Sequence, residues 1–387
     1  MILLAIGLRV SFFKLETADY TVFLSPWYDH LQQNGFQGFR VDFANYNLPY
    51  LYLLYVAAAV GVPKLLAIKL ISLVFDFVLA YAVHRVVRHF RPEGYAALLA
   101  ATSVLFLPAV FLNSAAWGQC DAIYTSFLLF SLLACLKNKS LWMWVFWAAA
   151  FSFKLQAVFL LPFLVYLWLV NKKTSIFAPL AALPVFMIPF VPALIAGRSF
   201  QSIASIYFTQ TKSSGLVTAG TPNFYQWIPD SFVAFSSRAS VFLTAAAVVF
   251  VVICALEFLR PRSKGAHLLV LATLFLFLVP FLLPLMHERY FYPAEIFSLV
   301  VAFAVPRFAW IAISAQLVAL FAYTPYLFRT QPPIPLSVAA TAQLVSIVAL
   351  CYLAFYGPPV KVRGEGGHET MEDDLTNDDL IPIKVAV

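Results

Sequence analysis

LPYLYLLYVAAAVGV, residues 48–62, is the stretch on which the topology of this chain turns. It is apolar throughout but only about 15 residues long, whereas a helix that crosses a bilayer needs about 20. Its length therefore predicts a half-inserted or interfacial helix. Charge gives the same answer. Counted as a full span, the stretch would put HRVVRHFR (84–91) outside the cell and KNK (137–139) with it. Counted as half-inserted, it lets those two clusters fall on one side with NKK (171–173), RPRSK (260–264), Arg307, and Lys361 and Arg363. Basic loops mark the cytoplasmic side, so the second reading is adopted.

Outward from this segment the chain is a series of apolar blocks. Met1–Phe13 goes out, Lys64–Val83 returns, Tyr95–Leu112 goes out and Ala122–Leu136 returns. Leu141–Phe153 and Leu155–Val170 follow, then Ile176–Ala196 and Val241–Phe258. His267–Met286, Ala294–Val305, Phe308–Leu327 and Leu336–Tyr356 complete the set. The predicted fold class is an all-α polytopic membrane protein with about 11 or 12 spans. The domain covers 1–356, with long outer loops at 14–62 and 197–238; an acidic tail, 357–387, is predicted to be disordered and cytoplasmic. The first block is short for a span. Either its helix continues through Lys14 and Leu15, or the true start lies upstream. No small-residue cleavage site follows it, so no cleavable signal peptide is predicted.

Composition supports this class. Of 387 residues, 62% are hydrophobic and 11% charged, and the mean hydropathy is +0.86. A soluble domain carries about 25% charged residues. The net charge of +7 is scattered through short loops, not gathered on one face, which excludes a nucleic-acid partner. Cys120, Cys135, Cys254 and Cys351 show neither metal nor disulfide spacing.

The polar residues that remain gather on the other side. Ionisable groups at membrane depth or at its edge are functional candidates by default. Asp19 stands in ETADY (16–20), just after the first block; SPWYDHLQQNGF (25–36) and FANYNLPYLYLLY (43–55) follow. A carboxylate at the boundary is partly desolvated, which raises its basicity and suits it to take a proton from a hydroxyl. NSAAWGQCD (113–121) and HERYFYP (287–293) sit on the same side. His287 and Arg289 can donate to a phosphate, and Lys154 adds a third cation. Glu16, Tyr20, Trp117, Gln119, Asp121, Gln156, Glu288 and Tyr290 are candidate substrate contacts. Trp117 either stacks on a substrate or belongs to an aromatic belt; Gln119 and Asp121 either bind the substrate or orient the loop. Asp76, mid-block, is expected to be a structural acid paired with Asn, Ser or Lys of a neighbouring helix.

ETADY, an N-Y-x-x-P segment (45–49), WGQCDAIY (117–124) and HERYFYP occur here in an order that resembles the GT-C superfamily of integral-membrane glycosyltransferases. Within it the likeness is to bacterial relatives of the mannosyltransferase that adds the second mannose to GPI anchors. It covers roughly residues 5–330; FKLQAVFLLPF (153–163) and TPNFYQWIP (221–229) look like further family segments. The resemblance implies a GT-C fold with interfacial helices in the first outer loop, and Asp19 as catalytic base. It also implies a polyprenyl-phosphate sugar donor, mannose first among hexoses, used on the extracytoplasmic face of the plasma membrane. One base and one phosphate clamp suffice for a single inverting displacement, without the second carboxylate of a retaining enzyme. The acceptor would be a lipid or a glycan, and the other partners membrane lipids. A divalent cation would need converging carboxylates, which Glu16, Asp19, Asp121 and Glu288 could supply; ETADY lacks an Asp-x-Asp pair, so a metal-independent mechanism without cofactor is favoured. The rivals are a transporter or flippase of lipid-linked glycans, which would show related halves and midplane polar groups, and a surface-polysaccharide polymerase.

Overall fold

The computed structural model describes residues 1–170, 175–209, 218–228 and 265–356, with 244, 247–248 and 251–252 between them. The expectations for NKK (171–173), most of Val241–Phe258, RPRSK (260–264) and the tail lie outside the described residues. What is described is almost wholly helical. Four helical stretches are long and apolar enough to cross a membrane: Lys64–Phe90, Ala178–Ile195, Pro306–Phe328 and Leu336–Phe355. A fifth counts if Ala96–Val104 and Pro108–Trp117, bent by 42°, form one crossing. The chain is therefore an all-α polytopic membrane protein. Six further apolar helices have 10–17 residues, so many of the sequence blocks end as helices too short to count by length. Proline and non-α turns also interrupt a long stretch: Pro179, Pro184, Pro189 and Pro192 divide Ala178–Ile195, one of the four, into alternating 3-10 and α pieces.

Several boundaries move. The first helix, α1, is only Ile2–Val10, and turns at Ser11–Leu15 follow it. It does not continue through Lys14 and Leu15. The segment 48–62 forms a 12-residue helix, Leu48–Ala59 (α2), about 18 Å long at 1.5 Å per residue and so too short to span. It packs against the helix Ser25–Asn34 and against α3, Lys64–Phe90. At 27 residues, α3 takes in most of the basic HRVVRHFR run, which forms its last two turns rather than a loop. Asp121–Leu136 (α4) and Ser140–Phe153 (α5) form a tight pair joined through KNK. Ala266–Leu282 (α6), Tyr292–Ala304 (α7), Ala309–Phe328 (α8) and Leu336–Phe355 (α9) complete the described bundle.

Two cores result. The larger joins α3, α4, α6 and α7 through Leu79, Leu128, Phe275 and Phe297. The smaller is made by the first outer loop, where Trp27, Tyr28, Phe39 and Leu51 close over Ile68 and Ile123. This second core caps one end of the bundle. Arg91, just past α3, donates to Phe303 O at 3.2 Å, so the basic end of α3 lies against the last turn of α7. The other ends of α4, α5 and α7 reach Asp121, Lys154 and Tyr290, and the cap lies over them.

Candidate functional site

Asp19 begins a π-helical turn, Tyr20–Leu24. A second π-helical turn, Leu112–Trp117, ends at the residue that faces it. Such turns are rare and recur at functional sites, because the extra residue re-aims the side chains that follow. Gly118 then takes φ +78°, and a Cβ there would meet Ile68 at 3.1 Å; only glycine lets the chain turn so tightly before Gln119. The result is a carboxylate held from three sides. Asp19 Oδ2 accepts from Trp117 Nε1 at 2.9 Å and from Gln119 Nε2 at 2.6 Å. Asp19 Oδ1 accepts from the Tyr326 hydroxyl at 2.7 Å, whose oxygen in turn accepts from the Asp19 N–H at 2.9 Å. These donors fix the carboxylate while leaving its side chain 22% exposed.

Behind it lies a buried charge group. Asp121, the first residue of α4, is fully buried and ion-paired with Lys154; it also accepts from Asn113 Nδ2 at 2.8 Å. Lys154 reaches it because α5 ends at Phe153 and residue 154 is extended. Arg289 bridges outward, its guanidinium 3.8 Å from Asp121 and 4.0 Å from Asp19. Its Nε has no hydrogen-bond partner among the described residues. Burial alone would raise the Asp121 carboxyl, but Lys154 and Arg289 overturn this and hold it below its usual range. Burial lowers Lys154, against the pull of Asp121. Arg289 is held charged, since Asp121 and Asp19 outweigh its burial.

The strip Thr218–Ala219 pairs with Met286–His287 in a two-residue parallel bridge, and the Glu288 N–H donates to Ala219 O at 3.2 Å. TPNFYQW folds beside it, Asn223 Nδ2 and Tyr225 Oη donating to the carbonyls of Leu283 and Leu282 at 3.1 Å each. Burial and the nearby Arg289 push His287 down to about 4, so it is neutral near pH 7. Burial pushes Glu288 up to about 7. The expected pair of cationic phosphate donors therefore becomes one cation, Arg289, and one neutral imidazole.

Two cavities meet here. One, of about 390 Å³, is lined by Gln119, Lys154, Gln156 and Tyr290 and by the aromatic residues Phe23, Trp27, Tyr46 and Tyr50. The other, of about 380 Å³, is lined by Trp117, Thr218, Gly220, Glu288, Pro325, Tyr326 and Leu336. Asp19, His287 and Arg289 line both.

Most of the residues singled out in the sequence thus converge. Glu16 and Tyr20 do not: Glu16 is exposed, Tyr20 is buried in the cap core, and neither lines a cavity. Trp117 offers no open ring face for a sugar, since Tyr326 stacks on it at 4.4 Å and Arg289 lies 5.7 Å from its ring. Asp121 is sealed from both cavities and orients Lys154 and Arg289. The sequence reading missed Tyr326 and Tyr46. Tyr46 had a signal in its N-Y-x-x-P setting; Tyr326 had only a proline beside it in an apolar block. The acids weighed for a cation do not gather: among the described residues no three His, Cys, Asp or Glu side chains form a metal-binding group. No protein-family model matches the chain, and no curated protein matches it significantly.

Proposed function

We propose that the protein is a GT-C-type glycosyltransferase that moves a hexose, mannose first, from a polyprenyl-phosphate donor to an acceptor hydroxyl on the extracytoplasmic side. The observation that carries the reading is the pair of cavities sharing Asp19, His287 and Arg289. A transferase with one base needs two substrate spaces that meet at that base; a carrier needs one path.

The donor head group fits the aromatic, amide-rich cavity. Lys154 is already committed to Asp121, so Arg289, whose two carboxylate contacts lie beyond hydrogen-bond distance, is the cation that meets phosphate. His287 adds a neutral donor. The acceptor lies in the second cavity, between Glu288 and Tyr326. Its oxygen attacks the anomeric carbon as its proton passes to the Asp19 carboxylate. The bond from that carbon to the phosphate oxygen breaks, and its electron pair leaves with the polyprenyl phosphate beside Arg289. Electrostatic stabilisation of that departing charge is the largest contribution expected of the site. The outward assignment rests on the basic end of α3, which lies against the last turn of α7 and away from Asp19.

The test is incubation of the purified protein with radiolabelled polyprenyl-phosphate hexoses and a membrane lipid extract. Label leaving the phosphate carrier for a new product is expected, fastest with mannose. Retention of every sugar on its carrier, with all of them bound, overturns the reading.

A further inference from the structure

Lys69 lies on α3 and is 1% exposed, with no carboxylate of the described residues within ion-pairing distance. Its Nζ donates instead to four backbone carbonyls. They are Phe12 O at 3.1 Å, Leu15 O at 2.8 Å, Ala115 O at 2.6 Å and Ala116 O at 3.0 Å. An ammonium has three N–H donors, so they are shared among four acceptors. The carbonyls belong to two segments far apart in sequence. Phe12 and Leu15 lie in the turns that lead to Asp19. Ala115 and Ala116 lie in the π-helical turn that leads to Trp117 and Gln119. Phe12 O also accepts from the Leu15 N–H at 2.9 Å, while the Leu15, Ala115 and Ala116 oxygens have no backbone donor among the described residues; a buried charge needs such partners.

The same face of α3 holds Asp76, two turns further on. Asp76 accepts from Ser114 Oγ at 2.5 Å and from Arg9 Nε at 2.8 Å. The helix therefore grips both segments twice, and Lys69 is the grip nearer the site. Thr17 adds only a long contact, its hydroxyl donating to Trp117 O at 3.3 Å. The bonds from Trp117 and Gln119 to Asp19 depend on the two segments keeping their separation.

We propose that Lys69 is a positioning residue for Asp19: its ammonium fixes the segment carrying the carboxylate against the segment carrying Trp117 and Gln119. Its effect on turnover rests on the transferase reading; its effect on the two segments does not.

The experiment compares the full-length protein with Lys69→Met and Lys69→Arg, by hydrogen exchange and by turnover. In Lys69→Met, exchange in 12–20 and 112–120 should quicken on the order of tenfold, while 266–282 keeps the wild-type rate. Turnover should fall on the order of tenfold or more with donor KM unchanged, and should fall no further in an Asp19→Asn background. Lys69→Arg should restore both. Equal quickening across the whole molecule, no quickening in the two segments, or additive losses with Asp19→Asn would each overturn the proposal. So would failure of both Lys69→Met and Lys69→Gln to fold, because Lys69 would then serve the whole fold. If the wild type transfers no hexose, the transferase reading fails, and the exchange data still decide whether Lys69 ties the two segments.

Discussion

Two charge networks lie side by side in this bundle, and they are built differently. In the first, Arg9 and Asp76 are both fully buried and bonded at 2.8 Å, with Ser114 and the Leu105 carbonyl closing around them. In the second, Arg289 and Asp19 stand 4.0 Å apart, 14% and 22% exposed, at the meeting of two cavities. A network that only holds helices together can stay sealed from the cavities, because its opposite charges are in direct contact and an unpaired charge in an apolar bundle is expensive. It does so even though Arg9 Nη2 and Asp76 Oδ1 lack hydrogen-bond partners among the described residues. A network that must receive a charged substrate has to stay partly open. The gap around Arg289, wider than a hydrogen bond, is where the two designs differ.

The largest effect should come from the open network. Asp19→Asn keeps the shape and leaves an oxygen to accept from its donors, but the amide cannot take the acceptor proton. Turnover should fall by about 10²–10⁴, with the thermal midpoint nearly unchanged. Single-turnover transfer from a labelled donor measures it. Near-normal transfer would mean that Asp19 is another closed-network acid.

The closed network should respond in stability. Asp76→Ala leaves Arg9 charged and buried without its carboxylate, a change that costs about 3–5 kcal/mol. Thermal unfolding in detergent should show a large drop. The folded fraction should keep a donor affinity close to wild type. A variant as stable as the parent but unable to bind donor would reverse the roles of the two networks.

The closed network was partly legible in the sequence. An acid in the middle of an apolar block must find a partner, and Ser was among those expected for Asp76; Arg9 was not, because it sits in a block read only for its apolar length. The membrane class followed from composition alone. The gathering of 117–121 with 287–290 was legible because short polar runs between long apolar blocks have little choice of place. Lys69 was not legible. Its partners are backbone carbonyls in irregular turns, and no side-chain pattern reports them. The same turns explain why the blocks overstate the helices: hydropathy does not register a π-helical turn or a break at Lys154. Glu16 and Tyr20 lie beside Asp19 in sequence, yet the π-helical turn carries Tyr20 into the cap core.

His287 sharpens the comparison from the donor side. It is neutral near pH 7 and lines both cavities, so it can offer phosphate a hydrogen bond but no charge. His287→Ala should weaken donor use by about 1.5–3 kcal/mol, the range for a hydrogen bond to a charged group, and leave acceptor KM almost unchanged. Separate donor and acceptor titrations measure this. Intact donor kinetics with a lower folded yield would make His287 an anchor of the 286–288 strip alone.

The smallest effect concerns Glu288, which burial raises from 4.5 to about 7. The fold thus favours its protonated form. Its contribution to stability is most favourable below pH 4.5, declines as pH rises to about 7 and is level above that. His287 runs the other way: the fold favours its neutral form, so its contribution is present above pH 6.5 and is lost as pH falls towards 4. Between pH 6 and 8 Glu288 gains a negative charge in the wall next to Arg289, where the donor phosphate would bind. Donor affinity should therefore fall as pH rises through about 7, by about 1 kcal/mol or roughly fivefold for one charge at that range in a partly wet site. Glu288→Gln should flatten that limb and keep the affinity of the low-pH form. Donor binding titrated from pH 5.5 to 8.5 in both proteins decides it. A limb that persists in Glu288→Gln would assign the titration to another group of the protein, since the phosphodiester of the donor does not titrate in this range, and would leave Glu288 as part of the packing around Gly220.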